Sequence, residues 1–200
     1  QNTLQSSKAR GATWQVLGQQ VLMGKLNIPV IPPGELAGLE LSDYARPRVE
    51  QTQQLAPYGL PSNLDAWDGY PAARERLFAM LMAHATNPIS LAGDTHNGWA
   101  FNLTNQKGEA VGVEWGTPGV SSPGLESYVP LPPEQMQALL KGASPELVAC
   151  DTSQRGWTQV TLTPESATVQ WRFVSSVVEP TYQVSAGEPL VAERDTRRLT

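Results

Sequence analysis

Asn87–Leu103 reads NPISLAGDTHNGWAFNL, and this stretch decides both the fold and the place to look for a site. The short apolar run Ile89–Ala92 breaks into Gly93-Asp94-Thr95-His96-Asn97-Gly98, the pattern of a buried strand opening into a polar loop where backbone must come close to something. In extended chain, residues two apart leave the same face. Asp94 and His96 would then present a carboxylate oxygen beside an imidazole nitrogen. Such a pair at the C-terminal edge of a strand suits one or two metal ions that polarise a phosphoryl group. From D-x-H alone another reading stands equally open, in which Asp94 caps the following turn and His96 is a surface loop residue.

Working upstream, Pro71 opens an amphipathic segment with Leu77, Phe78, Met80 and Leu81 three and four apart, ending near His84. The spacing predicts a helix feeding the central strand, an α-then-β alternation that points to an α/β layered fold. His84 sits where a contact with the helix C-terminus explains it better than catalysis. Further back, WQVLGQQVLM, Trp14–Met23, is expected to be a buried strand, with Gln19 and Gln20 near its end as two amides that need partners or a functional reason. Gln1–Ala12 looks like the end of a helix running into a turn. Residues 25–62 are broken by Pro29, Pro32, Pro33, Gly34, Pro47, Pro57 and Pro61, so they are expected to form an irregular insertion, either a cover over the site or a packing arm.

Downstream, Trp99–Thr104 and Ala110–Gly116 around Asn105-Gln106-Lys107-Gly108 read as a hairpin. GTPGVSSPG, Gly116–Gly124, follows as a loop whose backbone amides could approach an anion, although an ordinary connection is the stronger reading. Leu131–Gly142 is expected to be a short helix. Gly156–Leu162 and Thr168–Val174 alternate apolar and polar residues around Pro164-Glu165-Ser166, a second hairpin. Residues 179–200 are expected to drape over the sheet as a tail.

Composition narrows the function. The 200 residues can bury a real core, and 40% hydrophobic content with 17 Gly and 17 Pro describes a loop-rich globular chain. A formal net charge of -5 without blocks of like charge argues against a nucleic-acid surface that works by neutralising phosphates. Cys150 is the single cysteine, so neither an internal disulfide nor a cysteine-based zinc site can form. No run approaches the roughly 18 apolar residues of a membrane span.

Five blocks together resemble the PhoD-like alkaline phosphatases and phosphodiesterases of the metallophosphoesterase superfamily: Trp14–Met23; DAWDGYPAARERL, Asp65–Leu77; LAGDTHNGWA, Leu91–Ala100; VEWGTPGVSSPG, Val113–Gly124; and RGWTQVTLTPESATVQWRFV, Arg155–Val174. The resemblance implies half of a β-sandwich flanked by helices, with a C-terminal β-hairpin and an irregular tail: residues 1–178 as the C-terminal half of the catalytic domain and 179–200 as the tail. It implies a binuclear or multinuclear metal centre, of iron and calcium or other divalent ions, that hydrolyses phosphate mono- or diesters. Asp94 and His96 match the family's G-D-x-H and are carried over as metal ligands, His96 also as the catalytic group. Gln20, in the strand that carries a ligand histidine in relatives, and Asn97 are assigned to substrate, and Trp67 and Asp68 to the rim.

The family's cysteine, aspartate, tyrosine and asparagine ligands have no counterpart here, and Cys150 lies outside every matching block. The expected partner is therefore the missing N-terminal half of the same domain, with this chain inactive alone, and the expected location is periplasmic or secreted. The alternative is a non-catalytic β-rich binding or assembly module that keeps the scaffold. A carbohydrate-binding face built on Trp67, Trp99 and Trp115 ranks last.

Overall fold

A computed structural model describes residues 1–200. Nine strands form two sheets. The first contains β1 (Trp14–Gln19), β2 (Asn87–Ala92), β3 (Gly98–Thr104), β4 (Ala110–Gly116) and β5 (Leu147–Asp151), in the order β1-β2-β4-β3-β5. β1, β2 and β4 run parallel, whereas β3 is antiparallel to both of its neighbours. The second sheet joins β6 (Arg155–Leu162) to β7 (Ser166–Val174), and the far edge of β7 pairs with β8 (Val184–Ala186) and β9 (Leu190–Glu193). The helices are α1 (Asn2–Ala9), α2 (Pro33–Ala37), α3 (Ala45–Leu55), α4 (Pro71–His84) and α5 (Pro133–Ala143).

Alternation along the strands sorts side chains into two cores. Ala167, Val169, Trp171 and Phe173 of β7 all point inward and meet Ile89, Ala100, Val113 and Trp115 of the first sheet, which makes the expected sandwich. On the opposite face Trp99, Phe101 and Leu103 of β3 meet Phe78 and Leu81 of α4 and Met136 and Leu140 of α5. The first sheet is thus covered on both sides. Trp99 and Trp115 are 2% and 1% exposed, so they are core residues and the carbohydrate-binding face is ruled out.

Three segments differ from the sequence expectation. β1 stops at Gln19 rather than running on to Met23, because side chains instead of a neighbouring strand take the next N–H groups. Glu114 accepts from Met23 and Gly24 at 2.9 and 2.7 Å, Glu146 from Lys25 at 3.0 Å, and the Ser144 hydroxyl from Asn27 at 3.0 Å. Residues 25–62, expected to be irregular, contain α2 and α3. Pro47 falls in the first turn of α3, where an N–H has no helical partner to lose, so it does not break the helix. The run expected as a loose tail supplies β8 and β9 and buries Ala192 and Leu199 in the sandwich core. Arg197 fastens it further by donating to the carbonyl oxygens of Ala85 and Thr86.

β5 is the strand with no signal in the sequence. Leu147–Asp151 is short, does not alternate in burial, and pairs with β3 through an irregular register at Ala100/Phe101.

Candidate metal centre at the end of β2

The three parallel strands end at one edge of the sheet, and their ends hold the polar loop. Gly93 donates to the Gln20 carbonyl at 3.0 Å from one side, and Thr117 donates to the Ala92 carbonyl at 2.9 Å from the other. Crevices outside the carboxyl ends of parallel strands are where open α/β sheets place ligands. Beyond Gly93 the chain turns sharply. Asp94 and His96 take left-handed backbone, with φ of 67° and 61°, so a turn presents them and the same-face argument from extended chain does not apply. Left-handed backbone at two non-glycine residues is costly, and such costs collect at functional loops.

His96 is held by its ring and by its backbone. Nδ1 lies 2.9 Å from the Pro123 carbonyl oxygen, which can only accept, so Nδ1 carries a proton and the neutral ring has its lone pair on Nε2. This arrangement suits a metal-ligating or proton-accepting imidazole. The His96 carbonyl accepts from Gly119 N–H at 3.0 Å and from Arg155 Nη1 at 3.2 Å. Asp94 is exposed, and no protein group bonds its carboxylate. Asn97, only 2% exposed, accepts from Leu125 N–H through Oδ1 at 3.2 Å, while its Nδ2 has no protein partner.

The other expected site residues divide. The Gln20 side chain is exposed beside the loop, whereas Gln19 belongs to a structural network. Gln19 Nε2 donates to Ser90 Oγ at 2.6 Å, and its Oε1 accepts from Trp67 Nε1 at 2.8 Å. Trp67 is therefore a brace under the sheet edge. Asp68 shares a small cleft with Thr95, and its carboxylate accepts from Leu26 N–H at 3.3 Å. Burial raises the Asp68 pKa, against the pull of Arg74. His84 stands in the last turn of α4, away from this loop.

Sequence reasoning passed over two carboxylates and an arginine. Glu114 is fully buried in β4 and takes five hydrogen bonds, among them Ser90 Oγ at 2.8 Å and the Met23 and Gly24 amides. Desolvation pushes its pKa up, against the lowering effect of those donors. A single acid within the apolar VEWG run was the available signal. Glu126 is paired with Arg155, whose signal was weak because Arg155 opens a strand that already reads as a hairpin arm.

Beside the loop lies a largely apolar cleft of about 380 Å³. Thr95, His96 and Asn97 form one wall, and Arg48, Val49 and Gln53 of α3 form the facing one. The segment 25–62 thus covers a space next to His96, and Asp94 does not line it.

The donor set fits part of a metal shell. A free imidazole nitrogen and an unpaired carboxylate are ordinary ligands for divalent and ferric ions, yet nowhere in these 200 residues do three or more His, Cys, Asp or Glu side chains gather closely enough to hold an ion. Two groups leave most coordination positions open. Cys150 does not complete the set. It is buried in β5, and burial, followed by the neighbouring Asp151, pushes its thiol up to about 12.

The chain is 27% identical over 203 residues to alkaline phosphatase D of Bacillus subtilis strain 168, a match that covers 99% of this chain and 29% of the relative. It superposes on a solved structure described as "Structure of PhoD" with a TM-score of 0.66 at 24% identity, covering 100% of this chain and 33% of that one; at that identity the likeness is one of fold. The chain therefore spans about a third of the length of the relatives it matches. The family model described as PhoD-like phosphatase matches residues 1–171, and the chain belongs to that family.

Proposed function

We propose that this chain supplies the Asp94 and His96 ligands of a metal-dependent phosphate-ester hydrolase, an alkaline phosphatase D-like phosphomonoesterase or phosphodiesterase whose remaining ligands come from parts of the longer protein outside these residues. One observation supports the reading: His96 Nδ1–H is committed to the Pro123 carbonyl, which leaves Nε2 without a protein partner, and the unpaired Asp94 stands two residues earlier in the same turn, at the edge where three parallel strands end. A bound bi- or multinuclear centre, of iron and calcium or other divalent ions, would supply Lewis acidity and a water acidified to neutral pH. The chain's own residues supply position. Asp94 and His96 would hold the ion on a turn fixed by both neighbouring strands. Asn97 Nδ2, buried and without a protein partner, is a donor suited to a phosphoryl oxygen, and the exposed Gln20 amide stands on the other side of the same edge.

A second reading, a non-catalytic module that keeps the scaffold, is favoured by one observation, the lack of any three-donor cluster. The full-length protein decides between them. Elemental analysis should find bound metal, a chromogenic phosphate mono- or diester should be turned over, and chelator should abolish that turnover, whereas these 200 residues alone should be inactive. Turnover no higher than that of the Asp94→Asn, His96→Ala control, or absence of metal with stability indifferent to chelator, would favour the module instead.

A further inference from the structure

One side chain touches both supports of His96. Arg155, nine-tenths buried at the first position of β6, donates from Nη1 to the His96 carbonyl at 3.2 Å and to the Gln154 carbonyl at 2.7 Å. Its Nη2 pairs with Glu126. Glu126 belongs to the strap 123–126, whose Pro123 carbonyl receives the imidazole Nδ1–H. Glu126 also accepts from Gly124 N–H at 3.2 Å, and Asn97 Oδ1 holds Leu125 N–H, so the strap cannot shift without breaking these bonds. A Cβ on Gly124 would crowd Asn97 Nδ2, Arg155 Nη2 and Glu126 Oε2, so the strap lies close against these three side-chain ends. The residue after Arg155 adds a further tie: Gly156 N–H donates to Gly119 O at 2.9 Å, and Gly119 N–H in turn donates to the His96 carbonyl.

We propose that Arg155, with Glu126, is a positioning pair that fixes the imidazole of His96 at both ends, the backbone through the His96 carbonyl and the ring through the Pro123 strap. The pair is only half-buried, with 9% of the Arg155 and 33% of the Glu126 side chain exposed, so its contribution to stability is favourable but modest. Orientation of a ligand histidine is a different matter: outer partners of metal-bound histidines are worth roughly 10–100-fold in affinity or activity. The inference rests on the reading of His96 as a ligand. It adds that the second sheet, through the first residue of β6, takes part in the site.

The test uses the full-length protein and reads metal affinity by chelator competition, with kcat and KM for a chromogenic phosphate ester. Replacing the pair by apolar groups, Arg155→Met with Glu126→Leu, should lower the thermal midpoint only modestly, by the loss of one half-buried ion pair and of the bonds to the His96 and Gln154 carbonyls. Metal affinity should fall by about 10–100-fold, and kcat should fall with little change in KM. Arg155→Lys guards against a misfolded double variant. Its ammonium can still pair with Glu126, yet it lacks the planar fork that reaches two carbonyls as well, so metal affinity should not be restored. Affinity within twofold of the parent in a folded Arg155→Lys, or a double variant that loses stability while keeping affinity, would show that the pair only supports the fold. A parent protein that holds no metal would overturn the functional reading, and this inference with it.

Discussion

Trp171 of β7 packs against Gly98, the first residue of β3, so closely that a Cβ on Gly98 would come within 2.9 Å of the indole. Its Nε1 also donates to the Gly116 carbonyl at 3.2 Å, at the end of β4. One side chain of the second sheet thus presses on the backbone that follows Asn97 and is bonded to the strand end beside it. Trp171→Ala should remove this contact and leave a cavity, at about 3–5 kcal/mol. The unfolding midpoint should drop accordingly, and hydrogen exchange of the 93–98 amides should speed up. Unchanged exchange in that loop would mean that the sheets are coupled elsewhere.

Asp94 and His96 should not be equivalent. Asp94 is exposed and unpaired, so Asp94→Asn removes the charge of a proposed ligand and little else; melting temperature in the presence of chelator should stay the same. His96→Ala also releases the Pro123 strap and should lower that temperature slightly. Both should reduce metal affinity by at least the roughly 10–100-fold seen when an outer partner is lost. Calorimetric titration of metal-stripped full-length variants checks the affinities, and a chelator-containing melt separates the two effects.

The legible parts of the sequence were those where a single local pattern decides the outcome. β7 alternates strictly because one face lies on the first sheet, and Pro71 at the start of α4 fits the helix it opens. The D-x-H loop was legible as a polar turn at the end of a buried strand but not in its geometry, because left-handed backbone at Asp94 and His96 depends on bonds from Gln20, Pro123 and Gly119, all distant in sequence. Long-range pairing hid the rest. Leu147–Asp151 becomes a strand only because β3 offers an edge, and residues 22–27 stay irregular only because Glu114, Glu146 and Ser144 take their N–H groups. Glu126 and Arg155 look like ordinary surface charges until the fold brings them 29 positions together.

Cys150 should be chemically silent in the native state. With its thiol pushed to about 12, roughly one molecule in 10⁴ carries a thiolate at pH 8, and the side chain is 2% exposed. An alkylating reagent at pH 8, with the labelled position read by mass spectrometry, should modify Cys150 only after denaturation. Cys150→Ala should leave metal content unchanged. Rapid native labelling, or loss of metal in the alanine variant, would assign the thiol a role that its surroundings argue against.

Glu114 and Glu126 should tilt the stability of the protein in opposite directions with pH. For Glu126, burial pushes the pKa up, but the hydrogen bonds from Arg155 and backbone N–H groups together outweigh it, and the net value lies below the ordinary 4.5. A group depressed in the folded state stabilises it above its unfolded pKa, and that contribution is lost as pH falls from about 4.5 through the folded value. For Glu114 desolvation wins and the folded pKa lies above 4.5. The native state then binds more protons than the unfolded one between 4.5 and the raised value, so stability falls as pH rises through that interval. Glu126→Gln should therefore flatten the acid-side loss below about 4.5, whereas Glu114→Gln should flatten the decline above it. Glu114→Gln should also lower stability throughout, since one amide oxygen replaces two that serve Met23 and Gly24. Thermal melts of both variants from pH 3 to 8 give the two slopes, and equal slopes would show that neither carboxylate is perturbed as its surroundings require.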